Sequence, residues 1–239
     1  MKLFKNITAA FLAVAMLFGA SGCSSMSQTG KGALIGGGGG AAVGAGIGAL
    51  IGGGKGAGIG SAIGAAIGTG AGALIGKKMD KQQKELQEQL AQQAKVEEVT
   101  DTVTGLRAIK VTFDGGILFA TGKYNLSDQA QADLTKFAVS LLENPDTDVD
   151  IVGYTDNTGS MKVNATLSDQ RANSVRNYLI KCGVQPTRLD AVGIPMADYV
   201  ASNDTPEGRA LNRRVEITIQ ANQKMIQDAQ QEAGETAQN

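Results

Sequence analysis

Arg171 and Asp156 are the two side chains of this sequence whose types and spacing invite chemistry. Arg171 follows Leu167 by four residues and precedes Val175 by four, so it shares their stripe, with Leu179, on a helix read over residues 164–181. A guanidinium leaving the sheet-facing edge of a helix needs an anionic partner or solvent. Asp156 stands just beyond a strand read at DVDIVGY, residues 148–154, and the TDNTGS turn carries it back toward that helix. Two arrangements satisfy such a pair. Either it neutralises itself as an internal salt bridge, or its members stay apart across a cleft at the strand ends, where ligands of α/β sheets collect. An Asp and an Arg held apart match a zwitterion, the carboxylate taking an ammonium and the guanidinium fork gripping a carboxylate.

The elements that must position this pair are legible from residue 105 onward. IKVTF, residues 109–113, alternates as a strand. Ser127 caps a helix whose Leu134, Phe137, Ala138, Leu141 and Leu142 share a face before Pro145 ends it. Gly183 closes the second helix, with Cys182 just before it read as a small buried hydrophobe. Strands follow at RLDAVG, 188–193, and RVEITI, 214–219, where Val215, Ile217 and Ile219 face one way. Arg214 alternates outward with Glu216, which leaves it no site role. The order β-α-β-α-β-β over residues 105–221 predicts an α/β (α+β) fold, a two-layer sandwich of two helices on a mixed sheet. Residues 222–239 read as a polar tail, frayed or disordered.

The preceding part of the chain is of another kind. Lys2 and Lys5, an apolar run from Ile7 to Phe18 and the small residues 19–22 form a secretory signal, too short to span a bilayer. Residues 30–76 hold 21 of the 33 glycines, twelve of them in strict period four from Gly32 to Gly76, and the pentapeptide GALIG recurs at 32, 48 and 72. On a helix that period makes a stripe along which a second backbone can approach closely. Each glycine costs roughly 1 kcal/mol against alanine in a helix, so such helices need a partner helix or lipid. Lys31, Lys55 and Lys77 bracket runs of 23 and 21 residues, which reads as a glycine-zipper hairpin turning near Lys55. GGGKG is no phosphate loop, because Ala49 stands at the required first glycine and Gly56 at the required Ser or Thr. Residues 77–104 read as an amphipathic spacer helix with Met79, Leu86, Leu90 and Ala94 at helical spacing.

The strings TDNTGSxxxNxxLSxxRAxxVxxYL and NDTPEGRAxNRRVEI, at 155–179 and 203–217, are similar to those of the OmpA-like peptidoglycan-binding domain family. ASGC at 20–23 resembles the lipobox of bacterial lipoproteins, which implies that Cys23 is lipidated and becomes the N-terminus, leaving residues 23–29 as a lipid-anchored stretch. The whole layout resembles the YiaD-type family of outer-membrane lipoproteins. The resemblance implies that Asp156 and Arg171 grip the diaminopimelate of the murein stem peptide, with Thr158, Asn164 and Arg213 lining the same cleft. Asn203, Thr205 and Gly208 read instead as residues that shape their loop. The chain departs from the family pattern at Ala120, where an Asp often follows the Phe, and in the GIPMADY segment at 193–199. Ser24 in the second mature position implies delivery to the outer membrane, facing the periplasm.

These features give a non-enzymatic tether between outer membrane and peptidoglycan, with an oligomeric glycine-zipper assembly or pore moored by the domain as the rival reading. The zipper offers a surface for self-association. No cofactor or metal is called for: the chain has no His, so the usual nucleophile pairs and zinc sets are absent, and one carboxylate beside an arginine is not the acid and base pair of a murein hydrolase. With the signal removed, 20 basic residues face 23 acidic ones, which argues against nucleic acid as a partner.

Overall fold

A computed structural model of the protein describes residues 70–101 and 104–236. The signal segment, Cys23 and the glycine-zipper hairpin lie outside the described residues, apart from the last glycines of the repeat.

Helix α1, Ala71–Gln89, opens the described chain. Ala71, Ile75, Met79, Gln82 and Leu86 form its buried stripe, the three- and four-residue steps that an amphipathic helix buries. The spacer helix is therefore present, but it starts earlier and stops sooner than residues 77–104. Leu90 caps it, and Ala94–Thr100 is an edge strand, β1, paired antiparallel with β2, Arg107–Asp114. Val96 and Val99 among charged residues give a strand that a helix-forming Lys-Glu composition disguises.

Ile109, Val111 and Phe113 point β2 into the core, as their alternation requires. A single helical turn, α2, Gly115–Leu118, follows, then α3, Asp128–Glu143, N-capped by Ser127 Oγ on Ala130 N at 3.0 Å. Leu142 falls off the buried stripe of α3 and is 46% exposed. β3, Thr147–Tyr154, leads through the 155–160 turn to α4, Met161–Lys181, capped by Ser160. β4, Leu189–Ile194, runs parallel to β3 and is its neighbour. α5, Pro206–Asn212, has Thr205 Oγ1 accepting from Gly208 N as its cap, and β5, Arg214–Ala221, inserts antiparallel between β2 and β3.

The sheet order β1-β2-β5-β3-β4 is open and mixed, with Phe113 and Phe137 packed edge to face between sheet and α3. The expected β-α-β-α-β-β sandwich is β2 through β5 of this sheet. The polar tail is instead a helix, α6, Gln223–Thr236, whose Met225, Ile226, Ala229 and Ala233 are buried and which packs on α1. A narrow stripe of small residues sufficed to bury it, although glutamines dominate its composition. Among the described residues no helix is long and apolar enough to cross a membrane.

Two glycines bring α4 down onto the sheet. Gly153 and Gly193 are register partners on β3 and β4, and a Cβ on either would lie 2.4 Å from Ser168 O or 2.2 Å from Asp169 N. The α4 backbone rests on that notch, and Arg171 emerges within one turn of it.

Candidate functional site

The site is assembled where β3, α4 and the start of β5 meet the loop that follows α2. Asp156 ends two residues past β3, 6% exposed, and its Oδ1 accepts from Thr158 N at 2.8 Å, a local bond that folds the turn. Gly159 takes φ 90° and lets the turn reach Ser160. Asn164, one turn into α4, is buried beneath it, its Nδ2 donating to Thr158 O at 2.8 Å and Ser160 O at 3.3 Å. Thr158 itself is exposed.

Arg171 is 3% exposed. Its Nε donates to Lys123 O at 3.1 Å, and its guanidinium carbon stands 5.3 Å from the Phe119 ring centroid. Its Nη1 and Nη2 have no hydrogen-bond acceptor among the described residues, and no carboxylate there forms an ion pair with it. Burial first, then the charge of Arg213, weakens its hold on its proton, with Asp156 opposing. An arginine stays charged against such pressure. The group is therefore a partly desolvated cation whose fork has no protein acceptor among the described residues and still reaches solvent.

The carboxylate is paired, though with a different arginine. Arg213 Nη1 lies 2.6 Å from Asp156 Oδ2. Burial pushes the Asp156 carboxyl up, but the bonds from Arg213 and Thr158 outweigh it and hold the group below the usual carboxylate range. Arg213 is itself pinned through its backbone. Its carbonyl accepts from Gly115 N at 2.7 Å, and a Cβ on Gly115 would sit 2.4 Å from that oxygen. The structure thus brings Asp156, Arg171, Arg213, Thr158 and Asn164 together as two guanidiniums against one carboxylate; residue spacing alone offers one of each, and the family resemblance adds Arg213.

Two neighbours are invisible in the sequence. The Lys123 carbonyl and the Phe119 face hold Arg171 through backbone and ring, features that no residue spacing announces. Asn203 Oδ1 accepts from Asn157 N at 3.4 Å and from Asn212 Nδ2 at 3.0 Å, tying the loop before α5 to the site turn. Met196 and Asp198, with φ of 50° and 52°, shape the same crossing, and Thr155 Oγ1 accepts from Met196 N.

Arg214 corrects the outward reading. It does face away from Val215, but the loop carrying Asp198 covers that side of the sheet, so Arg214 is 4% exposed. It lies 3.8 Å over the Tyr154 ring, bonds Glu216 Oε1 at 2.6 Å and donates to Asp198 O at 3.0 Å. Alternation fixes the face a strand residue takes, not whether that face is covered.

The chain is similar to several proteins. Residues 118–213 match the model of the OmpA family, and residues 1–80 that of the YMGG-like Gly-zipper. The probable lipoprotein YiaD of Escherichia coli K12 is 41% identical over 111 residues, 46% of this chain and 51% of that protein. The peptidoglycan-binding protein ArfA of Mycobacterium tuberculosis H37Rv is 44% identical over 112 residues, 47% of this chain and 34% of that one. The chain thus spans between a third and about half of the length of these curated relatives. The structure of the cell wall anchor of the T6SS from Pseudomonas aeruginosa superposes with a TM-score of 0.50 at 32% identity, over 57% of this chain and 96% of that one. With an open mixed sheet, an Asp/Arg site at its strand ends and near-complete coverage of a solved relative at this identity, the chain belongs to the OmpA family.

Proposed function

We propose that the domain binds peptidoglycan non-covalently, holding the free amino-acid end of the diaminopimelate in a murein stem peptide at Asp156, Arg171 and Arg213. The observation that carries this reading is the state of Arg171. Arg171 is 3% exposed, yet its Nη1 and Nη2 have no acceptor among the described residues and are not sealed from water, so the fork is held at the rim of the site where an anion can reach it. A carboxylate fits it in bidentate fashion, and the adjacent Asp156 suits an ammonium on the same carbon. Thr158 and Asn164 hold the turn that presents Asp156. Peptidoglycan binding is also what the name of the relative ArfA states of that protein.

In this reading Cys23 carries the acyl chains that moor the chain to the periplasmic face of the outer membrane, and the domain ties that membrane to the cell wall without catalysis. Lipid chains add about 0.8 kcal/mol per buried CH₂, so the anchor is long-lived and weak murein contacts gain from effective concentration. A murein pull-down tests the site. The Asp156→Ala, Arg171→Ala double variant should stay in the supernatant, and sedimentation equal to wild type would overturn the assignment. Cys23→Ser should leave the outer-membrane fraction, and unchanged fractionation counts against the anchor.

A further inference from the structure

Resting on that reading, we infer that Arg213 is the residue that makes the site demand a whole amino-acid group, because ligand binding exchanges one ion pair for another. The free site does not present a vacant carboxylate. Asp156 Oδ1 is held by Thr158 N and Oδ2 by Arg213 Nη1 at 2.6 Å, so an arriving ammonium meets a group that already holds a cation.

The two members of that pair are not equally fixed. The Asp156 side chain is 9% exposed and the Arg213 side chain 37%, so the guanidinium is the partner that can turn out toward water while the carboxylate stays. Arg171 cannot take over, since Lys123 O and Phe119 hold it in place. Charge then decides what may enter. The resting site carries one positive charge in excess, two guanidiniums against Asp156. A bare amine that displaces Arg213 raises the excess to two within a poorly solvated site. A zwitterion brings a carboxylate with its ammonium, so the excess is unchanged and the carboxylate serves the Arg171 fork and the displaced Arg213 together. Arg213 thus competes with the ligand's cation and rewards the ligand's anion.

The test uses the full chain, wild type and Arg213→Gln, titrated with diaminopimelate and with its diamide, which keeps both ammonium groups and removes the carboxylates. Amide signals of Thr158 report binding. Wild type should prefer diaminopimelate over the diamide strongly. Arg213→Gln should bind the diamide several-fold more tightly and lose about tenfold or more of that preference, a change of roughly 1.4 kcal/mol. Arg213→Lys keeps a competing cation and should keep the preference. In the wild-type chain, which needs no variant to fold, diaminopimelate should shift the side-chain signals of Arg213 as well as those of Arg171.

Equal weakening of both ligands by Arg213→Gln, an unchanged preference, or Arg213 signals that stay still while those of Arg171 move would each overturn the exchange. If wild type binds diaminopimelate and only the preference fails to respond, this inference falls and the peptidoglycan reading stands. If wild type binds no diaminopimelate at all, both fall.

Discussion

Arg171 Nε donates to the carbonyl of Lys123 at 3.1 Å, across 48 residues of chain, and this single bond aims the rest of the guanidinium. It fixes one edge of the fork against the loop and leaves the opposite edge, Nη1 and Nη2, leading. A lysine supplies charge but cannot hold the loop and grip a carboxylate at once. Arg171→Lys should therefore keep the domain folded, with a melting temperature within a few degrees of wild type, while murein retention drops by about tenfold or more. Retention at the wild-type level would show that charge alone suffices.

Gly153 and Gly193 give a second outcome. Gly153→Ala drives a methyl into Ser168 O, so α4 must lift, at a cost on the order of 1–3 kcal/mol. Because Arg171 follows one turn later, murein binding should fall together with the urea midpoint. Gly72→Ala makes the contrast, as nothing lies within 4 Å of its added Cβ and the position is helical. It should stabilise by about 0.5–1 kcal/mol. An equal response from the two glycines would mean that close packing is not what Gly153 provides.

A third concerns pH. Asp150 is half-buried beside Asp190, its register partner on β4, and Gln220 Nε2 donates to its Oδ2 at 3.3 Å. Burial, then the charges of Asp190, Asp148 and Asp101, push its carboxyl up to about 7. The folded state binds this proton more tightly than the unfolded chain, whose aspartate titrates near ~4. Stability from this group is thus present below about pH 4 and is lost as pH rises through 7. Asp150→Asn should raise unfolding stability at pH 8 by on the order of 1–2 kcal/mol and flatten its decline between pH 5 and 8. Parallel curves for variant and wild type would remove Asp150 as the cause.

The fourth concerns the C-terminal helix. Removing residues 223–239 strips Met225, Ile226 and Ala229 from the face of α1 and should lower the urea midpoint clearly, by about 2–5 kcal/mol in stability. A truncated chain as stable as the full one would restore the polar-tail reading.

These tests trace what the sequence could carry. The central strands and both main helices announce themselves by period, because each buries one face: Ile109, Val111 and Phe113 in β2, or Ala172, Val175 and Leu179 in α4. Ser127 and Ser160 are local caps, yet only the first stands before an apolar periodic run, so periodicity alone places the start of α4 at 164 rather than at Met161. β1 and α6 escaped because their burial depends on a neighbour. Glu97 and Glu98 look helical until β2 pairs with them, and Ala229 and Ala233 look inert until α1 supplies a surface. The site followed the same rule. Asp156 and Arg171 are visible through charge placed on an apolar pattern, whereas the contact between Asp156 and Arg213 spans 57 residues and is set by the Gly115 to Arg213 backbone bond.

Gly72 and Gly76, the last two beats of the period-four repeat, already belong to α1, whose Ala71, Ile75, Met79 and Leu86 are sunk among the core. No slack hinge separates the end of that repeat from the folded body. The repeat therefore joins the body through a helix whose apolar side is already packed on α6 and the sheet.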